Sequence, residues 1–234
     1  MVAKKRIALV TGGNRGIGFE TCLQFAQLGL SVILSARDIT KGEKAVKQLT
    51  DRGLNAAFYH LDVSDHSHID RTIYELEHRF GRIDVLVNNA AILYDTWQNA
   101  VDADFDTVNQ ALRTNLFGPW RLTQKCIPIM KRNKYGRIVN VSSGAGSLHF
   151  MTGGTPGYSI SKAALNALTR ILAAELRNTN ILINAIDPGW VATDMGGHGG
   201  RPIGEGAKGI VWASTLPDNG PSGGFFYDGK PVPW

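Results

Sequence analysis

Short apolar runs alternate with amphipathic segments along almost the whole chain, and this alternation constrains the fold more than any other feature. The runs are rich in β-branched residues and apolar throughout, which is typical of parallel strands buried on both faces. The segments between them carry apolar residues at helical spacing. The apolar runs stand at residues 6–12, 31–37, 56–63, 84–90, 136–143 and 181–189, with a seventh at 223–228.

Strands that alternate with helices predict an α/β fold, built as one doubly wound parallel sheet of about seven strands with helices on both faces. The length is ordinary for a single domain that spans residues 1–234. The spacing predicts a long helix over about 105–131 and another over about 158–177. Asp65 or Ser67 is expected to cap the helix that follows the third strand.

The composition excludes several classes of protein. A net charge of +5 without any block of Lys and Arg argues against a nucleic-acid partner. No apolar run approaches the roughly 20 residues that span a bilayer, so no membrane partner is expected. Cys22 and Cys126 lie in helical patterns, which predicts reduced core residues and a cytoplasmic location. The six histidines show no metal-ligand spacing, so no metal site is predicted.

A glycine-rich turn follows the first predicted strand and precedes the first helix. The stretch TGGNRGIG places glycines at positions 12, 16 and 18. Glycines let the backbone approach a diphosphate closely, and the helix N-terminus adds free N–H groups and partial positive charge. Such a loop alone is weak support for a nucleotide site, but its place between strand and helix strengthens the prediction.

The end of the second strand predicts which dinucleotide binds. A carboxylate here would hold the bare ribose of NAD, but Ala36 and Arg37 occupy these positions. Arg15 in the glycine turn is a second cation that could reach the same place. Two guanidinium groups suit the 2′-phosphate of NADP, provided that Asp38 points away from Arg37. The alternative is that both arginines are solvated surface residues.

Five motifs in matching order and spacing resemble the short-chain dehydrogenases/reductases. The resemblance covers nearly the whole chain and implies a Rossmann-type fold with an NAD(P) cofactor. Within the family, the chain is most similar to the NADPH-dependent carbonyl reductases. It departs from them at Ala91, where the family has glycine, and in lacking the long insertion before the tyrosine of the mammalian enzymes. The motifs are TGGNRGIG at 11–18, NNAA at 88–91, NVSS at 140–143, YSISK at 158–162 and DPGWVATDM at 187–195.

The resemblance implies four catalytic residues. Tyr158 would be the proton donor, and Lys162, one helical turn on, would lower the pKa of its phenol. Ser143 would hydrogen-bond the substrate oxygen, with Ser142 the less favoured candidate. Asn115 would hold a water beside Lys162 in a proton relay, although a buried asparagine could instead satisfy a backbone group.

The same resemblance assigns the binding residues. The substrate pocket would be bounded by the segment after Ala91, by the loop over 144–155 and by a tryptophan after the sixth strand; its predicted members are Ile92, Leu93, Tyr94, Trp97, Ser143, Ala145 and Trp190. The predicted NADP-binding residues are Gly12, Asn14, Arg15, Gly16, Ile17, Gly18, Arg37, Asp62, Val63, Asn89, Ala90, Ala91, Tyr158, Lys162, Pro188, Gly189, Val191 and Thr193.

The implied activity is NADPH-dependent reduction of ketones, aldehydes or quinones to alcohols. One alternative is a 3-oxoacyl-carrier-protein reductase, and another is a non-catalytic protein that senses dinucleotides. Without the long insertion, the helices around Asn115 and Tyr158 could pair across a two-fold axis, which predicts a homodimer or homotetramer. The C-terminal half most resembles monomeric members of the family, which argues the other way.

Overall fold

The computed structural model describes residues 5–92 and 94–234, and its centre is one eight-stranded sheet. The strand order is β3-β2-β1-β4-β5-β6-β7-β8, parallel except for the last pair. The predicted doubly wound α/β fold is therefore confirmed, and a two-residue strand adds to the seven expected. The strands are β1 (Ile7–Thr11), β2 (Ser31–Ala36), β3 (Ala56–His60), β4 (Val85–Asn88), β5 (Gly136–Val141), β6 (Ile181–Asp187), β7 (Phe225–Tyr227) and β8 (Lys230–Pro231).

Helices cover both faces of the sheet. On one face, α3, α5 and α6 pack apolar side chains against the strands, and on the other face α1, α2 and α7 do so. Cys22 of α1 and Cys126 of α5 are free and buried, which confirms their prediction as core residues. The helices are α1 (Gly16–Gln27), α2 (Ile39–Thr50), α3 (His66–Phe80), α4 (Phe105–Leu112), α5 (Gly118–Arg132), α6 (Pro156–Glu175) and α7 (Ile203–Ser214).

The sequence predicts one helix boundary correctly and misses another. Asp65 caps α3 by accepting hydrogen bonds from the backbone N–H groups of Ser67 and His68, as predicted. The long helix expected over 105–131 is instead interrupted by a π-helical segment, Arg113–Phe117, which separates α4 from α5. One extra residue in a turn leaves the apolar pattern on either side nearly unchanged, so periodicity does not reveal it.

The strand order reverses direction beside β1, with β2 on one side and β4 on the other. Parallel strands on either side of such a point leave a crevice at their carboxyl ends, where ligands of doubly wound proteins bind. The loops after β1, β4, β5 and β6 meet at this edge. Every helix among the described residues is too short or too polar to cross a membrane.

Candidate active site

A cavity of about 500 Å³ opens at the carboxyl ends of the strands. Its walls come from the glycine turn, from the ends of β2 and β3, and from the loops after β4, β5 and β6. Most of the residues predicted to bind the dinucleotide meet here. Those lining the cavity are Gly12, Asn14, Arg15, Gly16, Ile17, Gly18, Arg37, Asp62, Val63, Asn89, Ala90, Ala91, Tyr158, Lys162, Pro188 and Thr193.

Two predicted cofactor residues lie apart from that lining. Val191 is 3% exposed and packs against α7, where a Cβ on Gly206 would come within 2.6 Å of its side chain. Gly189 has a φ of +73° and packs on Tyr227. Both hold the loop after β6 in place, and neither is among the residues that line the cavity.

The glycine turn has the shape that a diphosphate needs. Gly12 has a φ of +63°, which favours glycine, and a Cβ on Gly18 would lie 2.4 Å from the Gly12 carbonyl oxygen. Arg15 stands at the N-cap of α1 but its side chain makes no capping hydrogen bond, which leaves first-turn N–H groups open to the cavity. A dinucleotide diphosphate therefore fits this turn.

The end of β2 carries the second cofactor determinant. Asp38 caps α2 by accepting a hydrogen bond from the Lys41 N–H at 3.0 Å, and its carboxylate lies 3.3 Å from Lys41 Nζ. It is therefore engaged away from Arg37, as expected. The Arg37 side chain is exposed at the cavity edge, and its carbonyl oxygen lies 3.1 Å from His60 Nε2.

Arg15 has a partner that sequence reasoning missed. Its guanidinium lies 2.6 Å from the carboxylate of Asp194, in the loop after β6, and both residues line the cavity. Both side chains are largely exposed, so the pair contributes little to stability. It nevertheless competes with a bound phosphate for Arg15, so the two arginines predicted to converge are not equally available.

The N-terminus of α6 is held by a buried carboxylate that sequence reasoning also missed. Asp95 accepts hydrogen bonds from the N–H groups of Gly157 at 2.8 Å and Tyr158 at 3.0 Å. Burial raises the pKa of Asp95, but hydrogen bonds from Gln98, Tyr158 and Gly157 outweigh it and leave the pKa below its usual value. Asp95 thus supplies the cap that Thr155, at the N-cap position, does not provide.

The Tyr158 side chain is almost fully buried, and this burial controls its ionisation. Burial raises its pKa to about 12; the Ser143 hydroxyl works against the rise, while Asp187 and Tyr94 add to it. The ring of Tyr94 meets that of Tyr158 edge to face, with centroids 5.2 Å apart. The phenol is therefore protonated in the physiological range of pH.

Lys162 lies beside Tyr158 but does not affect it as expected. Its Nζ donates a hydrogen bond to the Val141 carbonyl at 2.7 Å and lies 5.5 Å from the centre of the Tyr158 ring. Burial lowers the pKa of Lys162 to about 8. The expectation that Lys162 brings the phenol pKa below its usual value is wrong for this structure, because burial is the largest influence on that pKa and raises it.

The two serines after β5 have different surroundings. Ser142 is buried, donates a hydrogen bond to Asn166 Oδ1 at 2.7 Å and is among the residues that line the first cavity. Ser143 Oγ accepts a hydrogen bond from the Ala145 N–H at 3.2 Å. Its hydroxyl also favours the ionised form of Tyr158 and so lowers the pKa of that phenol. The influence of Ser143 on the phenol agrees with its prediction as the serine beside Tyr158, whereas Ser142 is the one of the two among the residues that line a cavity.

Asn115 lies in the π-helical segment and is 1% exposed. Its side chain accepts from the Ile92 N–H at 3.0 Å and donates to the Ile92 carbonyl at 3.1 Å. It also donates to Ser161 Oγ at 3.0 Å, which in turn donates to the Tyr158 carbonyl. The side chain therefore satisfies backbone groups and connects the segment after β4 to α6.

A second cavity of about 540 Å³ is lined by Tyr94 and Ala145, among others. The expected loop over 144–155 supplies most of its wall, together with Thr96 and Ser159. No charged side chain is among the residues lining it. Its members are Tyr94, Thr96, Gly144, Ala145, Phe150, Thr152, Gly153, Gly154, Thr155 and Ser159.

The predicted substrate residues divide between several places. Tyr94 and Ala145 line the second cavity, and Ile92 lines the first. Trp97 and Trp190 line neither and are about two-thirds exposed; the Trp190 indole N–H donates to the Gly196 carbonyl at 2.6 Å, which draws the ring onto its own loop. Their assignment to the pocket wall is not supported. The predicted Leu93 lies outside the described residues.

The described residues hold no group of three or more His, Cys, Asp or Glu side chains that could share a metal ion.

Residues 6–201 match the family model for short chain dehydrogenases. The chain belongs to this family. It is therefore an oxidoreductase by descent, and the family predicted from its motifs is confirmed.

Relatives within the short chain dehydrogenase family include reductases of plants and animals. Carbonyl reductase [NADPH] 1 of Sus scrofa is 34% identical, over 100% of this chain and 96% of that protein. Salutaridine reductase of Papaver bracteatum is 32% identical over 97% of this chain and 95% of its own. The NADPH-bound carbonyl reductase from chicken fatty liver superposes with a TM-score of 0.88 at 29% identity, covering 98% of this chain and 99% of that one.

These relatives also differ from this short chain dehydrogenase in length. The alignment with the pig enzyme runs over 284 positions, whereas this chain has 234 residues, so at least 50 positions of that alignment have no counterpart here. Coverage is nevertheless nearly complete in both directions. The missing positions agree with the prediction that this chain lacks the long insertion of the mammalian carbonyl reductases.

Proposed function

We propose that this protein is a single-domain, NADPH-dependent reductase that converts ketones, aldehydes or quinones to alcohols. The observation that carries the proposal is the position of Tyr158. Its buried phenol borders the cavity of the glycine turn, and the ring of Tyr94, which lines the second cavity, packs against it. A proton donor thus stands where a dinucleotide in one cavity would meet a carbonyl compound from the other.

NADPH suits the first cavity, which the glycine turn borders, and when bound it would supply the hydride that reduces the carbonyl carbon. The glycine turn would hold the diphosphate through N–H groups of α1, and Arg37 would bind the 2′-phosphate. Thr193, on the opposite wall, would meet the nicotinamide carboxamide. The chicken relative was crystallised with NADPH and the pig relative carries NADPH in its name, which agrees with the predicted cofactor.

The proton chemistry follows from the surroundings of the phenol. A pKa of about 12 keeps Tyr158 protonated at neutral pH, so it can donate to the developing alkoxide. Ser143 would bind the same oxygen and orient the carbonyl. Lys162, with a pKa of about 8, is mostly charged at neutral pH and would stabilise the tyrosinate left after donation. Asn115 would hold a water beside Lys162, and this water would belong to the relay that returns a proton to Tyr158.

The substrate class is suggested by the second cavity. Tyr94 and Phe150 supply aromatic surface, and three threonines and a serine supply hydroxyl groups. With no charged side chain in that wall, a carboxylate substrate would lose its hydration without gaining a partner. Neutral aromatic or apolar carbonyl compounds should therefore be preferred over small keto acids, and an acetoacetyl thioester in the same assay panel would test the acyl-reductase alternative.

We also propose that the protein assembles as a homodimer or homotetramer through α5 and α6. Ile160 and Ile171 are about half exposed on α6, and Phe117 and Trp120 are exposed beside the start of α5.

Light scattering should then give two or four times the chain mass of 25.4 kDa, and a monomer mass would contradict the proposal. Trp120→Lys should weaken assembly, whereas Tyr74→Lys, at an exposed tyrosine on α3, should not.

Replacing the proton donor should remove catalysis and leave binding intact. Tyr158→Phe deletes only the hydroxyl, so carbonyl reduction should fall by roughly 10²–10⁴-fold. NADPH affinity and melting temperature should stay close to those of the wild type. Tyr74→Phe, at a tyrosine that is 71% exposed on α3, is the matched control and should retain full activity. Wild-type turnover in purified Tyr158→Phe would remove the basis of the proposed function.

The cofactor preference should depend on the end of β2. Because Asp194 competes for Arg15, we expect an advantage of NADPH over NADH of about 1.5–3 kcal/mol, or roughly 10- to 150-fold in kcat/KM. The double substitution Ala36→Asp with Arg37→Gln should reverse the preference. Arg52→Gln, at an exposed arginine after α2, is the control and should leave the preference for NADPH over NADH unchanged. Equal efficiency of the wild type with NADH would refute the assignment of Arg37 to the phosphate.

A further inference from the structure

The ion pair between Arg15 and Asp194 joins two walls of the first cavity. Arg15 belongs to the glycine turn and Asp194 to the loop after β6, and both are among the residues that line the cavity. The guanidinium donates a hydrogen bond to the carboxylate at 2.6 Å, across 179 positions of the chain. A dinucleotide held by the glycine turn would therefore lie beside this charged contact.

The backbone on either side of Arg15 places its side chain between two anionic partners. The Gly13 N–H donates to the Ser35 carbonyl at 3.0 Å, two positions before the arginine that follows β2. A Cβ on Gly16 would lie 3.4 Å from Thr193 Cγ2, one position before the aspartate of the ion pair. Arg15 thus stands between the end of β2, where the 2′-phosphate is expected, and the carboxylate that holds its guanidinium.

Asp194 differs from the other aspartate that lines the first cavity, Asp62. Asp62 accepts hydrogen bonds from the backbone N–H and the hydroxyl of Ser64, at 2.9 and 2.7 Å, within its own turn. Asp194 instead holds Arg15, and its side chain is 74% exposed. Its negative charge would repel a phosphate dianion and occupies one of the two guanidinium groups predicted to bind that phosphate.

The loop that carries Asp194 is held by contacts of its own. A β-bridge joins Val191 to Arg201, with backbone hydrogen bonds of 2.8 and 3.0 Å. The Arg201 guanidinium is paired with Asp228 at 2.9 Å. An exposed pair such as Arg15 with Asp194 contributes little to stability. Removing the charge of Asp194 should therefore leave the loop and the cavity walls in place.

We propose that Asp194 is a specificity-determining residue that competes with the 2′-phosphate of NADPH for Arg15. When NADPH binds, Arg15 exchanges the carboxylate for the phosphate, whereas NADH has no 2′-phosphate and leaves the ion pair intact. Asp194 thus limits the preference for NADPH that Arg15 and Arg37 would give together. The inference rests on the proposed function in one respect, which is that it takes NADPH as the cofactor.

The test compares dissociation constants by calorimetry, without any carbonyl compound. Asp194→Asn removes the charge and keeps the shape of the side chain. At low salt it should raise the ratio of the Kd for NADH to the Kd for NADPH by roughly 3- to 10-fold. The ratio for 5′-AMP against adenosine 2′,5′-bisphosphate should rise in the same way. Asp102→Asn, at an exposed aspartate before α4, makes the same change in net charge and should leave both ratios unchanged.

A second background separates exchange of Arg15 from simple repulsion. In Arg15→Gln protein no guanidinium remains for Asp194 to release, so Asp194→Asn removes only the repulsion between carboxylate and phosphate. The gain in the ratio should therefore be smaller in this background than in the wild type. An equal gain in both backgrounds would show that repulsion acts alone and would overturn the exchange.

The binding measurements distinguish this inference from the proposed function. Wild-type ratios in Asp194→Asn would overturn the role of Asp194 and leave the reductase proposal standing. If the wild type binds NADPH but reduces no carbonyl compound, the proposed function fails. The ratio for 5′-AMP against adenosine 2′,5′-bisphosphate would still test Asp194 in that case, because neither ligand takes part in hydride transfer.

Discussion

The hydrogen bond from Lys162 to the carbonyl of Val141 is the interaction around which the site is arranged. It places a buried ammonium group at the carboxyl end of β5, 2.7 Å from a backbone oxygen. Taking such a group out of water is costly unless its hydrogen-bonding groups are satisfied, so α6 can approach the sheet only with this register. The turn after β5 confirms how close the contact is, because a Cβ on Gly146 would lie 2.7 Å from the Lys162 Cβ.

Once α6 is placed, other buried polar groups fix the loops around it. Asp95 holds its first turn, Asn115 connects the segment after β4 to Ser161, and Ser142 reaches Asn166. These bonds join α6 to the segment after β4, to the π-helical segment and to the turn after β5, so parts of the walls of both cavities are fixed to one helix. A rigid arrangement of this kind is what transfer of hydride and proton to one carbonyl group requires, since both donors must meet it together.

The sequence predicted the features that depend on local pattern. The apolar runs located the strands, Asp65 located the start of α3, and the glycine turn located a wall of the first cavity. Motif resemblance located Tyr158 and Lys162, which do lie side by side.

The features that escaped prediction arise from contacts between distant segments. Asp95 meets the backbone of Tyr158 across 63 positions, and Arg15 meets Asp194 across 179. The sequence around one partner does not indicate the other, because an aspartate in a loop has the same sequence context whether it is solvated or caps a helix. The pKa of Tyr158 was misjudged for the same reason, since the number of atoms that bury the phenol depends on the whole fold.

The central claim is that the protein passes hydride from NADPH directly to a carbonyl carbon while its own residues supply the proton. Reduction of a neutral aromatic ketone with NADPH deuterated at nicotinamide C4 on both faces, in ordinary water, tests it most directly. Direct hydride transfer should leave the alcohol with a single deuterium on its carbinol carbon and none exchangeable with solvent, as read by mass spectrometry and NMR. An alcohol without deuterium at that carbon, or no NADPH-dependent product from any neutral ketone, aldehyde or quinone in the panel, would contradict it.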